Sequence, residues 1–315
     1  MAAVAGDYFG MQNDDFLSLP YNVSTVHDLL LYRGISWGYY QEDMPFSGFE
    51  GMGYKNQKTG RNDYVRKHNP GMLADSITHF EQHISQNKNL SMIDQSRSMF
   101  HKDLKDNKLP QWMFITPNMT SDGHDTDIAT AGRWVRNFLE PLLEDSNFMN
   151  NTLVLLTFDE NETYAQHNQI LGVLLGDALP KELIGTTDNN FYNHYSEIAT
   201  VSANWDLPTL GRWDVGANVY DWVAKKTGDT VRQWKSADEF QARYFNYSQA
   251  GPFNTAGGNH QYPAPNLKLD DSFNGRPIHP SIKKRWAGTT SPSYYEDTIE
   301  VPDGLHPPQG YAPVN

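Results

Sequence analysis

The chain contains no cysteine in 315 residues. Disulfides are therefore excluded, and so are zinc sites built on thiolates. Basic residues are in short supply, with 25 Lys and Arg against 38 Asp and Glu and a formal net charge of −13. Nucleic-acid binding needs clustered Lys and Arg against the phosphates, so this balance argues against that partner. No apolar run approaches the ~18 residues of a membrane-spanning helix, which argues against stable insertion. The opening "MAAVAGDYFGMQNDD" lacks the basic start and long apolar stretch of a signal peptide. Aromatic residues, by contrast, make up 13% of the chain, a composition that belongs to a packed core.

Helical and strand periods alternate through most of the sequence. "STVHDLLLYRG" predicts a helix capped by Ser24 and closed by Gly34. "ISWGYY" follows as a short strand. Residues 73–88 and 93–106 read as helices, and "QWMFITP" (111–117) as the next strand. "DIATAGRWVRNFLEPLLED" places Ile128, Val135, Phe138, Leu139 and Leu142 on one helical face, with Pro141 as a candidate kink. A strand at 153–158 and an apolar run at 170–176 come next, then helices in "HYSEIATVSANW" and "GANVYDWVAKK". Strands separated by helices in this way predict an α/β fold with a mostly parallel sheet. From about residue 236 the period decays into Pro, Gly and turn residues. The division expected is a domain over 1–235 and an extended arm or tail over 236–315.

Two segments could carry chemistry, because ligands of parallel α/β sheets bind at the carboxyl ends of the strands. The first is "FITPNMTSDGHDTD", where Asp122, His124, Asp125 and Asp127 lie between a strand and a helix. In the second, the strand "LVLLTF" runs into Asp159 and Glu160. Converging carboxylates repel unless a proton or cation intervenes, and a divalent metal, with His124 as a nitrogen ligand or general acid, answers that need. Plainer readings stand beside this one. Asp125 before a helix reads equally as an N-cap, and "DEN" as a solvated turn. His27, His83, His101 and His167 read as surface residues, and Trp112, Trp134 and Trp222 as core. Six Asn-X-Ser/Thr sequons begin at Asn22, Asn89, Asn118, Asn150, Asn161 and Asn246, which tilts the reading toward secretion.

"LPQWMFITPNMTSDGHDT", "TLVLLTFDENETY", "NFYNHYSEIATVSANWDLPTLGRWDVGANV" and "GISWGYYQEDMP" together resemble fungal secreted acid phosphatases. These are members of the phosphoesterase family that also holds phosphatidylcholine-type phospholipases C, within the alkaline-phosphatase-like superfamily. The likeness is dense from residue 5 to about residue 230, and the arm contributes nothing to it. It implies an alkaline-phosphatase-like α/β sandwich, a divalent metal of unstated identity at the end of a parallel sheet, and a Ser or Thr nucleophile. Asp159 and Glu160 match the family's Asp-Glu metal ligands. His124 and Asp125 match its Gly-His-Asp element, with Asp125 on the metal, and His194 matches the histidine opening the His-Tyr-Ser helix. "YVRKHNP" resembles a further family stretch, through which Arg66, Lys67 and His68 would meet the phosphate.

The resemblance also implies something missing. In the family a strand ending in Glu-Asn supplies the first metal ligands, and a turn resembling Pro-Ser-x-Pro-Asn-Tyr supplies the nucleophile. Neither occurs here, so the expectation is an N-terminally incomplete domain, lacking its first strand or strands and impaired in turnover. The function expected is hydrolysis of small soluble phosphomonoesters, by a protein secreted or held in the cell wall in its full-length form. The alternatives are a phospholipase C acting on phosphodiesters and a non-catalytic secreted remnant.

Overall fold

A parallel sheet divides the interior into two cores. The computed structural model describes residues 1–11, 13–161, 163, 168–232, 248–249, 252–253, 261–269, 276–293, 295 and 313–314. Its strands are β1 (Trp37–Glu42), β2 (Gly53–Lys55), β3 (Asn62–Val65), β4 (Asn87–Leu90), β5 (Trp112–Thr116), β6 (Val154–Thr157) and β7 (Gly172–Leu175), with a two-residue antiparallel pair, β8 (Ser248–Gln249) and β9 (Pro313–Val314), in the C-terminal part. Its helices are α1 (Ala2–Ala5), α2 (Val26–Tyr32), α3 (Asp75–Thr78), α4 (Glu81–Ile84), α5 (Met99–Lys105), α6 (Ile128–Glu144), α7 (Ser146–Met149), α8 (Tyr195–Asn204), α9 (Asp221–Thr227) and α10 (Pro280–Arg285).

Strand β1 lies between β4 and β5, parallel to both, with Tyr39 opposite Asn87 on one side and Phe114 on the other. Successive side chains of a strand point to opposite faces. Trp37 and Tyr39 therefore enter a core with Val26, Leu29 and Leu30 of α2 and Ile198 of α8. Tyr40 enters a second core with Phe100 of α5, Phe138 and Leu142 of α6, and Phe148 of α7. Helices on both faces explain why every residue of β1 is buried. This is the α/β arrangement the alternating pattern predicts.

Strand β6, the most apolar run by sequence, is only half-buried along its length, as is β5. The reason is its pairing: β6 binds β7 in an antiparallel hairpin instead of joining the central sheet. Among the described residues no other strand pairs with β6, and β5 pairs with β1 alone.

Local chemistry also moved several boundaries. Thr25, not Ser24, caps α2, and its N–H donates to Asp28 at 2.9 Å. Residues 73–88, read as one helix, break into α3 and α4 and then enter β4, whose polar sequence "NKNL" hid an edge strand. Pro141 does not end α6, which runs on to Glu144. His27 is fully buried, not on the surface; His167 lies outside the described residues.

The arm brings the main correction. Ile278, Ile282 and Trp286 are buried in the larger core beside Leu29 and Leu210. Gly211 permits this closeness, at φ 75°, because a Cβ there would stand 2.5 Å from Ile278 Cδ1. Arg212 is buried, and its guanidinium donates to Pro263 O at 3.0 Å and to the Tyr295 hydroxyl at 2.6 Å. That hydroxyl in turn donates to Asp7. The described parts of the arm have no core of their own, so they use the core of the preceding residues.

Candidate active site

The carboxyl ends of β1, β3 and β5 bring one group of polar side chains together. The loop after β5 runs through Asn118, and its turns are held internally: Asp122 Oδ1 accepts the N–H of His124 at 2.8 Å. His124 Nδ1 stands 2.9 Å from Asp125 Oδ1. Asp125 is not the helix cap; Asp127 takes that role, accepting the N–H of Thr130 at 2.7 Å, and Asp125 is left to orient the imidazole.

The turn Arg66–His68 follows β3 directly. It delivers His68 to the same place, with Nδ1 3.6 Å from Asp122 Oδ2 and its ring 5.4 Å from that of His124. Lys67 pairs with Asp14 at 2.5 Å, and that hydrogen bond holds the Asp14 carboxyl below its ordinary range. Arg66 turns away from the group. Its guanidinium donates to Glu50 O at 2.7 Å and covers the Phe16 ring.

A second group forms where β6 ends. Asp159 and Glu160 are exposed, and Asp159 offers its main-chain oxygen to His194 Nε2 at 2.9 Å and to Asn168 Nδ2 at 3.1 Å. His194, at the start of α8, places Nδ1 2.9 Å from Glu197 Oε1. Desolvation pulls the His194 pKa down, but the Glu197 carboxylate and the Asp159 carbonyl outweigh it and the net shift is upward. Both ring nitrogens face acceptors, which favours the imidazolium.

No hydrogen bond or ion pair joins His124 or Asp125 to Asp159. Among the described residues no group of three or more His, Asp or Glu converges as a metal site. A hard divalent cation takes about six donors, and the pairs present here do not supply them.

Sequence reading passed over three residues at the root of the first group. Glu42 ends β1, Asp43 follows it, and Asn118 in the loop after β5 bonds to both. The signal was available: two adjacent carboxylates at a strand's carboxyl end, the same sign that singled out Asp159 and Glu160. Burial pushes the Glu42 carboxyl up to about 7, against the opposing N–H from Asn118.

A parallel sheet whose carboxyl ends gather imidazoles and carboxylates has them where α/β proteins bind their ligands. Residues 1–208 match the model of the phosphoesterase family, and the chain belongs to that family. It is 57% identical over 227 residues to an acid phosphatase of Aspergillus fumigatus, covering 72% of this chain and 49% of that protein. It is 46% identical over 302 residues to a probable acid phosphatase of Kluyveromyces lactis, covering 95% and 68%. A phosphate-repressible acid phosphatase of Penicillium chrysogenum is 48% identical over 293 residues, covering 93% and 68%. The likeness thus runs through the arm, contrary to the expectation from motifs. The chain spans between about half and two thirds of the length of these relatives.

Proposed function

We propose that this chain carries part of the active face of an acid-phosphatase-type phosphomonoester hydrolase. The observation that carries the reading is the convergence of His68, Asp122, His124 and Asp125 at the carboxyl end of the sheet. Asp125 holds the Nδ1 side of His124, which leaves Nε2 to exchange a proton with the ester or its leaving oxygen. His68, in its protonated form, would be balanced by Asp122 and would present positive charge to the phosphoryl oxygens. Lys67 adds a cation at the edge of the same group.

The relatives' names support the reaction class. A small substrate suits a site of short polar loops, and no helix among the described residues is long and apolar enough to cross a membrane. Export from the cell belongs to the same proposal, supported by the sequons. The divalent cation also stays within the proposal as a separate question. With no donor set assembled among the described residues, we expect at most millimolar Mn²⁺ binding by this chain, read by calorimetry. Tight binding that survives Asp159→Asn would remove Asp159 from the reading.

The test of function is hydrolysis of 4-nitrophenyl phosphate, with bis(4-nitrophenyl) phosphate as the diester control. It should be run on this chain and on a longer form extended to the length of the relatives. We expect the longer form to prefer the monoester, to exceed this chain in rate, and to lose at least ~10²-fold in kcat with His124→Ala. Undiminished turnover in that variant would sink the assignment, and preference for the diester would move the protein to the phosphodiesterase class.

A further inference from the structure

We propose that Glu42 and Asp43 are positioning residues for the His68–Asp122–His124–Asp125 group, acting through Asn118. The proposal rests on reading that group as the phosphoester site. Glu42 and Asn118 are both buried, at 4% and 7% exposure. Glu42 Oε2 accepts the main-chain N–H of Asn118 at 2.9 Å. The Asn118 carboxamide donates from Nδ2 to Asp43 Oδ2 at 2.6 Å. Its Oδ1 accepts the N–H and the hydroxyl of Thr120, both at 2.9 Å. The Asn118 carbonyl takes the N–H groups of Ser121 and Asp122, both at 2.9 Å.

Asn118 thus faces β1 with its donors and the catalytic loop with its acceptors. The loop continues from it under the same control: Met119 N–H donates to Asp63 O at 3.1 Å, and Asp125 N–H to Met119 O at 3.0 Å. Asp43 is itself fixed, with φ 56° and its N–H on Leu90 O at 2.8 Å. The His68 turn has a separate anchor, since Asn69 Oδ1 accepts the N–H of Gly71. The His124 loop is thus held from two sides, by β1 through Asn118 and by β3 through Asp63, and β3 runs directly into the His68 turn, so Asn118 is one joint of the 5.4 Å arrangement of the two imidazole rings.

A buried carboxylate needs compensation, and among the described residues Glu42 has no ion-pair partner. Its place beside a loop N–H makes sense as a fixed acceptor for that loop. A displacement of about 1 Å at a reacting group can cost ~10²-fold in rate, so rigidity here has a catalytic consequence.

Exchanging the donor and acceptor tests the joint. Asn118→Asp sets two carboxylates against each other where a donor met an acceptor. Asp43→Asn in the same chain restores the pair with its polarity reversed, and Asn tolerates the left-handed φ. Three readouts apply: kcat and KM for 4-nitrophenyl phosphate on the longer form, the nuclear Overhauser contact between the His68 and His124 rings, and the melting temperature. We expect Asn118→Asp to lower kcat by ~10- to 100-fold with KM moved less than ~3-fold, and to abolish the ring contact. The exchange variant should recover kcat and the contact together. An unchanged kcat and ring contact in Asn118→Asp would overturn the proposal, as would an exchange variant no better than the single one. If the parent shows no phosphatase activity, the functional reading fails while the ring contact still decides the positioning role.

Discussion

His194 Nε2 stands 2.9 Å from the main-chain oxygen of Asp159, across 35 residues of chain. This contact ties the turn after β6 to the start of α8, and Asn168 Nδ2 donates to the same oxygen at 3.1 Å. The candidate metal-binding turn is thus fixed by hydrogen bonds to its backbone, leaving the Asp159 and Glu160 side chains on the surface.

Removing the ring should loosen that turn. His194→Phe deprives the Asp159 carbonyl of one donor and leaves the largely buried Glu197 carboxylate without its partner. We expect a loss of about 1–3 kcal/mol in urea unfolding, and a smaller loss for Asn168→Ala. No change in the first variant would show that the contact is not maintained in solution.

Glu42 should give the protein a pH-dependent stability. Its carboxyl rises from 4.5 to about 7 on folding, chiefly through desolvation. Between those values the folded state keeps a proton that the unfolded state has released. Stability from this group is fully present below pH 4.5 and is lost as pH rises through 7. Glu42→Gln keeps an acceptor for the Asn118 N–H and removes the titration. Relative to that variant, the parent should lose up to about 3 kcal/mol between pH 4.5 and 7.5 in urea unfolding. Parallel curves would contradict the buried, neutralised carboxyl.

The arm should be needed for folding. Trp286 and Ile278 fill the same core as α2, and Arg285 donates to Ser24 at 2.7 Å and Asp28 at 3.2 Å. Trp286→Ala should cost about 3–5 kcal/mol and Ile278→Ala about 2–5 kcal/mol. Truncation at residue 235 should leave Arg212 buried without its Tyr295 and Pro263 acceptors, and cooperative thermal unfolding should disappear. A truncated chain that melts like the parent would refute this.

Of the sequons, Asn118 should carry no glycan. Its Nδ2 is the atom a sugar would occupy, and that atom is buried and bonded to Asp43. Asn150, exposed at the end of α7, has no such engagement. In a host that attaches N-linked glycans, peptide mass mapping should find Asn118 unmodified and Asn150 modified. A glycan on Asn118 in folded protein would break the proposed joint.

The candidate site was legible in pieces. "SDGHD" and "FDEN" each announce themselves as polar residues after an apolar run, and "YVRKHNP" is recognised through its resemblance. Nothing in their spacing says that His68 meets His124 and Asp122, that Arg66 turns to carbonyls, or that His124 and Asp159 stand in separate groups. Those outcomes depend on how two strands and a short turn pack. Spacing left Asp125 open as a helix cap, and only the structure showed that Asp127 holds the helix N–H.

By itself the sequence determined the α/β class, because side-chain periods of 2.0 and 3.6 are properties of local backbone geometry. It also determined the family, through long runs of matching residues, and the exclusion of disulfides, through the lack of cysteine. Only the tertiary structure decided which strand is the buried centre, since burial depends on what covers each face. It placed "NKNL" on a sheet edge, where hydrogen bonds to β1 outweigh weak strand propensity. It also drew the arm into the core. There Ile278, Ile282 and Trp286 need no periodic face of their own, because the surface they cover was left open by α2, α8 and the Leu210–Arg212 turn.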